Sequence, residues 1–356
     1  MTVMNEKRPM GNVYAMTNEA PNNEVVAFRR GIHGKLTRMK SFETGGSGTG
    51  EAKVDPLSSQ GSLILTRNGQ FLFVVNAGSD SISSFRVDDC GALILEDVEP
   101  SGGVRPNSLA VHGNLLYVTN VGNPANKIAS NVTGFHVDKE GRLTRIIGST
   151  HSLSTPNAQP ACVVFSPDGR QIVVSELNNN ILSVFRVNRD GTLIRPTVNN
   201  SSGAGPFGSD FLSSGLLLVS ESGANALSSY SVDADGDLRV ISGSVRNGQL
   251  ATCWVTTSRC EEFAYTSNAG SGTITTYRIR DNGTLGLLRV GYSTVRTLAA
   301  PIDIGVSKDG CNFYVLNGNQ GSITVFSIRQ KGLILRIQVL QDTGLPTLGA
   351  QGLAVL

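Results

Sequence analysis

Cys162-Val163-Val164-Phe165 runs straight into Ser166-Pro167-Asp168-Gly169-Arg170. After it come Ile172-Val173-Val174-Ser175-Glu176, Ile181-Leu182-Ser183-Val184-Phe185-Arg186-Val187 and Asp190-Gly191-Thr192-Leu193. Pro-Asp-Gly is turn chemistry. Proline presets φ, aspartate bonds back to the backbone and glycine supplies a positive φ. The segments on either side are short and rich in β-branched residues, and the third alternates apolar with polar side chains, as a strand with two unlike faces does. The stretch reads as four antiparallel strands joined by tight turns.

The same unit recurs along the chain. Its last turn carries Gly34, Gly91, Gly141, Gly191, Gly236, Gly283 and Gly332, spaced 45 to 57 residues apart. Two residues after each stands Leu36, Leu93, Leu143, Leu193, Leu238, Leu285 or Ile334. A four-stranded repeat of this period predicts an all-β, seven-bladed β-propeller. WD dipeptides and kelch double glycines are missing. The first copy lacks its opening strand and begins at Asn12-Val13-Tyr14-Ala15-Met16. A spare strand, Gln351-Gly352-Leu353-Ala354-Val355-Leu356, stands at the other end. Pairing the two closes the ring and covers two open edges. The expected blades are 11–46 with the closing strand 349–356, then 58–103, 104–152, 156–203, 204–248, 249–297 and 298–345, after a tail at 1–10. The insertion Gly45 to Gly61, opening on Gly45-Gly46-Ser47-Gly48-Thr49-Gly50, carries no strand pattern and reads as a mobile loop between blades 1 and 2.

Composition narrows the function. The net charge is +2, and 16% of residues are charged. The densest basic stretch, Arg29-Arg30 with Lys35, Arg38 and Lys40, suits an exposed strand, so neither nucleic acid nor an anionic membrane is an expected partner. No apolar run approaches the ~20 residues of a membrane-spanning helix. The polar start, Met1 to Gly11, has no apolar core of a secretory signal. Cys90, Cys162, Cys253, Cys260 and Cys311 are odd in number and lack a C-x-x-C pair, which fits free thiols and a cytoplasmic setting. Cys253 and Cys260 could still face each other across a hairpin. No zinc signature or phosphate-cradling loop is present, so no metal or cofactor is expected.

In a propeller, the loops after the second strands and between blades surround one mouth of the central channel, where binding is expected. The second strands end on Asn18, Asn76, Asn120, Glu176, Glu221, Asn268 and Asn317. Such amides, with Asn107 nearby, could line a site for a hydroxylated or carboxylated small molecule, or could equally cap their own turns. Glu176 and Glu221 break the asparagine pattern in adjacent blades and are candidates for an acid–base pair. His151 is a further proton-transfer candidate, and Arg105, Arg246 and Arg296 are candidate anion clamps.

Phe165-Ser166-Pro167-Asp168-Gly169-Arg170, Tyr117-Val118-Thr119-Asn120 and the seven Gly-x-Leu turns together resemble the seven-bladed β-propeller lactonase family. That family includes cycloisomerase-type 6-phosphogluconolactonases and fungal 3-carboxymuconate lactonising enzymes. The resemblance implies a metal-independent site at the channel mouth, where His, Arg and Glu handle a lactone. Its strand-end Glu falls on Glu221. Its Gly-Pro-Arg-His stretch falls on Gly205-Pro206-Phe207-Gly208, which has lost both Arg and His. Its histidines before Phe-Ser-Pro-Asp-Gly fall near Gln159-Pro160-Ala161-Cys162. Two readings follow. One is a lactone hydrolase or cyclase with Glu221 as base, Glu176 or His151 as proton partner, and Arg105 or Arg296 holding the substrate anion. The other is a propeller that binds a small molecule or a protein partner without turnover.

Overall fold

The computed structural model describes residues 11–288, 294–297 and 299–356; the expected tail at 1–10 lies outside them. Seven antiparallel sheets follow one another around a ring, each of four strands. In blades 3 and 6 the outer strand comes in two pieces, Leu143–Arg145 with His151–Ser152 and Leu285–Leu287 with Thr294–Arg296. The ring closes as the sequence predicts. Closing strand Gln351–Val355 pairs antiparallel with Asn12–Met16, Val13 opposite Val355. The inner strands that line the channel are Gln351–Val355, Leu63–Leu65, Pro106–His112, Pro160–Phe165, Pro206–Phe211, Thr252–Thr257 and Pro301–Val306, in blades 1 to 7.

The Gly-x-Leu signature turns out to be the joint between blades. Tyr14 Oη of blade 1 donates to the Gly91 carbonyl of blade 2 at 3.0 Å, and Ser84 Oγ of blade 2 to Gly141 of blade 3 at 2.6 Å. Tyr117 of blade 3 reaches Gly191 of blade 4, and Ser229 of blade 5 reaches Gly283 of blade 6. Tyr314 of blade 7 closes the circuit on Gly34 of blade 1 at 2.8 Å. Glycine is required at this joint. Gly91 has φ +80°, and a Cβ there would lie 1.8 Å from Asn12 Nδ2. The leucine two residues on buries itself beneath the turn; Leu36, Leu93, Leu143, Leu193 and Leu285 are all buried. These contacts bond five of the seven turns to the preceding blade while the apolar side chains leave water.

A plugged channel mouth as candidate functional site

The insertion is not a mobile loop. After the glycine-rich stretch, residues 51–61 enter the channel and bond to its wall, with Leu57 and Ser59 buried. Gln60 N donates to the Ala161 carbonyl of blade 4 at 2.8 Å, and Gln60 Nε2 to Ser209 O of blade 5 at 3.0 Å. Gln60 Oε1 accepts from Val255 N of blade 6 at 2.9 Å. Ser59 Oγ donates to Asn107 O of blade 3. The Ser59 carbonyl accepts from Trp254 Nε1 of blade 6 and from Gln351 Nε2 of the closing strand, each at 3.1 Å. Hydrogen bonds to five blades hold the segment as a plug. Glycines alone suggested slack; the polar residues after them decide the outcome, because the Gln60 N–H and the Ser59 and Gln60 carbonyls carried into the channel find partners there.

The plug explains two residues of Gly205-Pro206-Phe207-Gly208. A Cβ on Gly208 would lie 2.2 Å from Gln60 Oε1, so no side chain fits there while the plug is seated. Phe207 is buried edge-on against Trp254, ring centroids 5.0 Å apart.

Between the plug and blade 3 a pocket of about 190 Å³ remains, lined by Glu51, Lys53, Asp55, Arg105, Asn107 and Gln159 among others. Glu51 pairs with Lys53 at 2.6 Å and with Arg105 at 3.4 Å. Arg105 has φ +57°, and Asp80 Oδ1 holds its backbone N–H at 2.8 Å. The Asp55 residue keeps some surface open, yet its carboxyl sits within the packed channel. Burial pushes its pKa up to about 7, opposed by the Ser58 N–H, the Gln351 amide and the Ser59 N–H. Below the plug the channel continues as a cavity of about 500 Å³ lined by Gln60, Leu109, Cys162, Val163 and Asp210.

Of the residues singled out from sequence, Arg105 and Asn107 come together at this pocket. Asn107 is itself a plug anchor, its Nδ2 donating to Pro160 O at 2.6 Å and to Leu57 O at 3.4 Å. Glu176 and Glu221 do not face the mouth. Both are fully buried inside their own blades. Glu221 Oε1 accepts from Ser228 Oγ at 2.6 Å and Gly203 N at 2.8 Å, and Oε2 from Ser244 Oγ at 2.6 Å. Glu176 accepts from Ser183 Oγ at 2.5 Å, from Asn179 Nδ2 at 3.2 Å, and from the hydroxyl of Ser154.

The asparagines do the same job with the bond reversed. Asn76, Asn268 and Asn317 each donate through Nδ2 to the hydroxyl seven residues on, Ser83, Thr275 and Thr324. Asn120 Nδ2 donates to Asn131 Oδ1 and Ser101 O. Six of the seven strand-end residues therefore tie second strands to third strands, while Asn18 Nδ2 donates to Thr49 Oγ1 of the insertion at 2.9 Å. His151 sits in the outer strand of blade 3, its ring on Phe185 at 6.0 Å. Arg296 is exposed in the outer strand of blade 6, and Arg246 ends that of blade 5. Among the described residues no group of three or more His, Cys, Asp or Glu could hold a metal, and all five cysteines are free, Cys253 and Cys260 included. Among the described residues no helix is long and apolar enough to cross a membrane.

Comparison with known proteins agrees with this architecture. The model of the lactonase, 7-bladed beta-propeller family matches residues 9–165 and 125–239, more than half of the chain. The chain belongs to the seven-bladed β-propeller lactonase family. A 6-phosphogluconolactonase of Serratia proteamaculans is 22% identical over 282 residues, 75% of this chain and 80% of that protein. A 6-phosphogluconolactonase of Yersinia pseudotuberculosis is 23% identical over 197 residues, 53% of this chain; the match spans 58% of that relative's length. Among solved structures, the periplasmic gluconolactonase of Pseudomonas aeruginosa superposes with TM-score 0.72 at 18% identity, covering 93% of this chain and 96% of that one. A functionally unknown protein from Desulfotomaculum acetoxidans reaches TM-score 0.75 at 13% identity, over 97% and 98% of the two chains. At such identities the structural likeness speaks for the fold.

Proposed function

We propose that this lactonase-family propeller hydrolyses a lactone that carries an anionic group, a sugar-acid or carboxylated lactone, in the pocket between the plug and blade 3. One observation carries the reading: a carboxyl with its pKa pushed to about 7, Asp55, shares a small pocket with Lys53 and Arg105. A general base works best when its pKa lies near the working pH. Ionised Asp55 takes a proton from a water molecule, and the hydroxide adds to the lactone carbonyl. The ring C–O bond then breaks, and the proton on Asp55 goes to the leaving alkoxide, giving the open hydroxy acid. Arg105 and Lys53 hold the substrate's carboxylate or phosphate, which displaces Glu51 from them. The pocket takes the lactone ring and leaves the rest of the substrate at the open mouth. Glu176 and Glu221, which the sequence offered as base and proton partner, keep loops in place in this scheme.

The test is turnover on a panel of gluconolactone, 6-phosphogluconolactone and muconolactone. Asp55→Asn lowers kcat by roughly 10²–10⁴-fold, the range for losing a general base. Arg105→Ala raises KM for the anionic substrates. Because the base must be ionised, wild-type kcat rises with pH through about 7. Wild-type protein that turns over none of these lactones overturns the reading. A second reading, small-molecule binding without turnover, is favoured by Phe207 and Gly208 standing where the family resemblance places Arg and His. It predicts thermal stabilisation by the same compounds with no product.

A further inference from the structure

Deep beside the plug, Asp303 of blade 7 and Gln351 of the closing strand meet in a setting with too few protons. Asp303 is 3% exposed and Gln351 is fully buried. Gln351 Nε2 donates to Asp303 Oδ2 at 3.0 Å, and Gly352 N donates to the same oxygen at 2.9 Å. Gln351 Oε1 is buried and has no donor at all. The Gln351 side chain also reaches the Asp55 carboxyl, which adds like charge to Asp303. Among the described residues no Lys, Arg or His pairs with either aspartate.

A buried carboxylate with no cation and an orphaned amide oxygen next to it is a costly arrangement. One proton removes both faults. We propose that Asp303 is held as the neutral acid and donates its proton to Gln351 Oε1, closing a two-bond acid–amide pair that latches the plug in the channel. Gln351 is the link, since its Nε2 also donates to the plug carbonyl of Ser59, the atom that Trp254 Nε1 holds from the other side. Ionising Asp303 breaks one bond of the pair, sets two negative charges around Gln351 and loosens the plug. The inference rests on the seating of 51–61 and not on lactone chemistry, though it would regulate the site that Asp55 belongs to.

The surroundings agree on direction. Burial, with Asp55 adding to it, pushes Asp303 up to about 8. Asp55 on the plug and Cys162 on the inner strand of blade 4 lie within reach of its charge, and Cys253 on the inner strand of blade 6 within reach of that of Asp55. Tyr265 and Tyr314 lie on the second strands of blades 6 and 7. Burial pushes both thiols and both phenols up as well, so all four are neutral across the working range. The folded carboxyl keeps its proton to higher pH than the unfolded one. The latch's contribution is therefore complete below about pH 4 and is lost as pH rises to about 8.

Trp254 is the chain's single tryptophan and bonds directly to the plug, so its fluorescence reports the latch. Wild-type emission is expected to shift with a midpoint near pH 8 while the fold stays intact by circular dichroism. Asp303→Asn offers an N–H to Gln351 Oε1 and an oxygen to Gln351 Nε2 and Gly352 N at every pH, so the variant is expected to fold and to lose the transition. A wild-type emission that stays constant from pH 5 to pH 9, on the order of one unit or more to either side of the expected midpoint, overturns the proposal. So does a transition that survives in the variant. If the variant fails to fold, carbon-13 NMR of aspartate-labelled wild type decides: beside Asp55 near pH 7, a second carboxyl titrating near pH 8 supports the latch, and no carboxyl titrating above about pH 7 refutes it. None of these readouts needs turnover, so the latch and the proposed lactonase activity fail separately.

Discussion

Replacing Glu221 separates a structural carboxylate from a catalytic one. Its two oxygens accept from Ser228 Oγ, Ser244 Oγ and Gly203 N at 2.6 to 2.8 Å, in a fully buried setting. Glu221→Ala leaves one buried donor, Ser228 Oγ, and two half-buried ones, Gly203 N and Ser244 Oγ, without their acceptor. A buried donor so stranded costs about 1–3 kcal/mol, and the two hydroxyls can turn elsewhere, so the sum is about 3–5 kcal/mol. Glu221→Gln is gentler. Its oxygen still serves Gly203 N and Ser228, and its amide meets Ser244, whose hydroxyl can rotate to accept. Losing charge assistance costs about 1–2 kcal/mol. At about 1.3 °C per kcal/mol for a chain this long, the melting temperature falls by about 4–7 °C for alanine and about 1–3 °C for glutamine. Thermal and urea unfolding measure both. If Glu221→Ala melts with the wild type, the carboxylate is not holding the blade and the argument from its hydrogen bonds fails.

Gly208→His restores the residue type that the family resemblance places there, but its side chain needs the space of Gln60 Oε1, 2.2 Å from the new Cβ. It is expected to unseat the plug, seen as faster hydrogen exchange at 57–61 with the blades unchanged. Trp254→Phe keeps the ring against Phe207 and loses the bond to Ser59 O. That costs about 1 kcal/mol, which appears as roughly fivefold faster opening of the plug in hydrogen exchange.

The fold was legible because it repeats. Six Gly-x-Leu turns, one Gly-x-Ile turn and a displaced strand at Gln351–Val355 state the blade count and the closure. The site was far less legible. Glu176 and Glu221 stood out because they broke an asparagine pattern. The pattern encodes a hydrogen bond to the hydroxyl seven residues on, which runs from amide to hydroxyl in one case and from hydroxyl to carboxylate in the other. Ser183 and Ser228, seven residues after each Glu as Ser83 is after Asn76, were the available signal. Asp55, Asp303 and Gln351 were missed because long-range contacts alone bring them together. The insertion's glycines drew the eye away from Asp55-Pro56-Leu57-Ser58-Ser59-Gln60, where apolar and amide side chains mark a segment able to bury itself. The empty Gly208 was the other half of that signal.

Amide hydrogen exchange at Gln60 tests the central claim most directly, because its N–H bonds to Ala161 O only if the plug is seated in the channel. The account predicts protection comparable to the inner strands, on the order of 10³-fold or more over a free chain. Exchange at the free-chain rate, with the inner strands still protected, would show an open channel mouth and contradict the account.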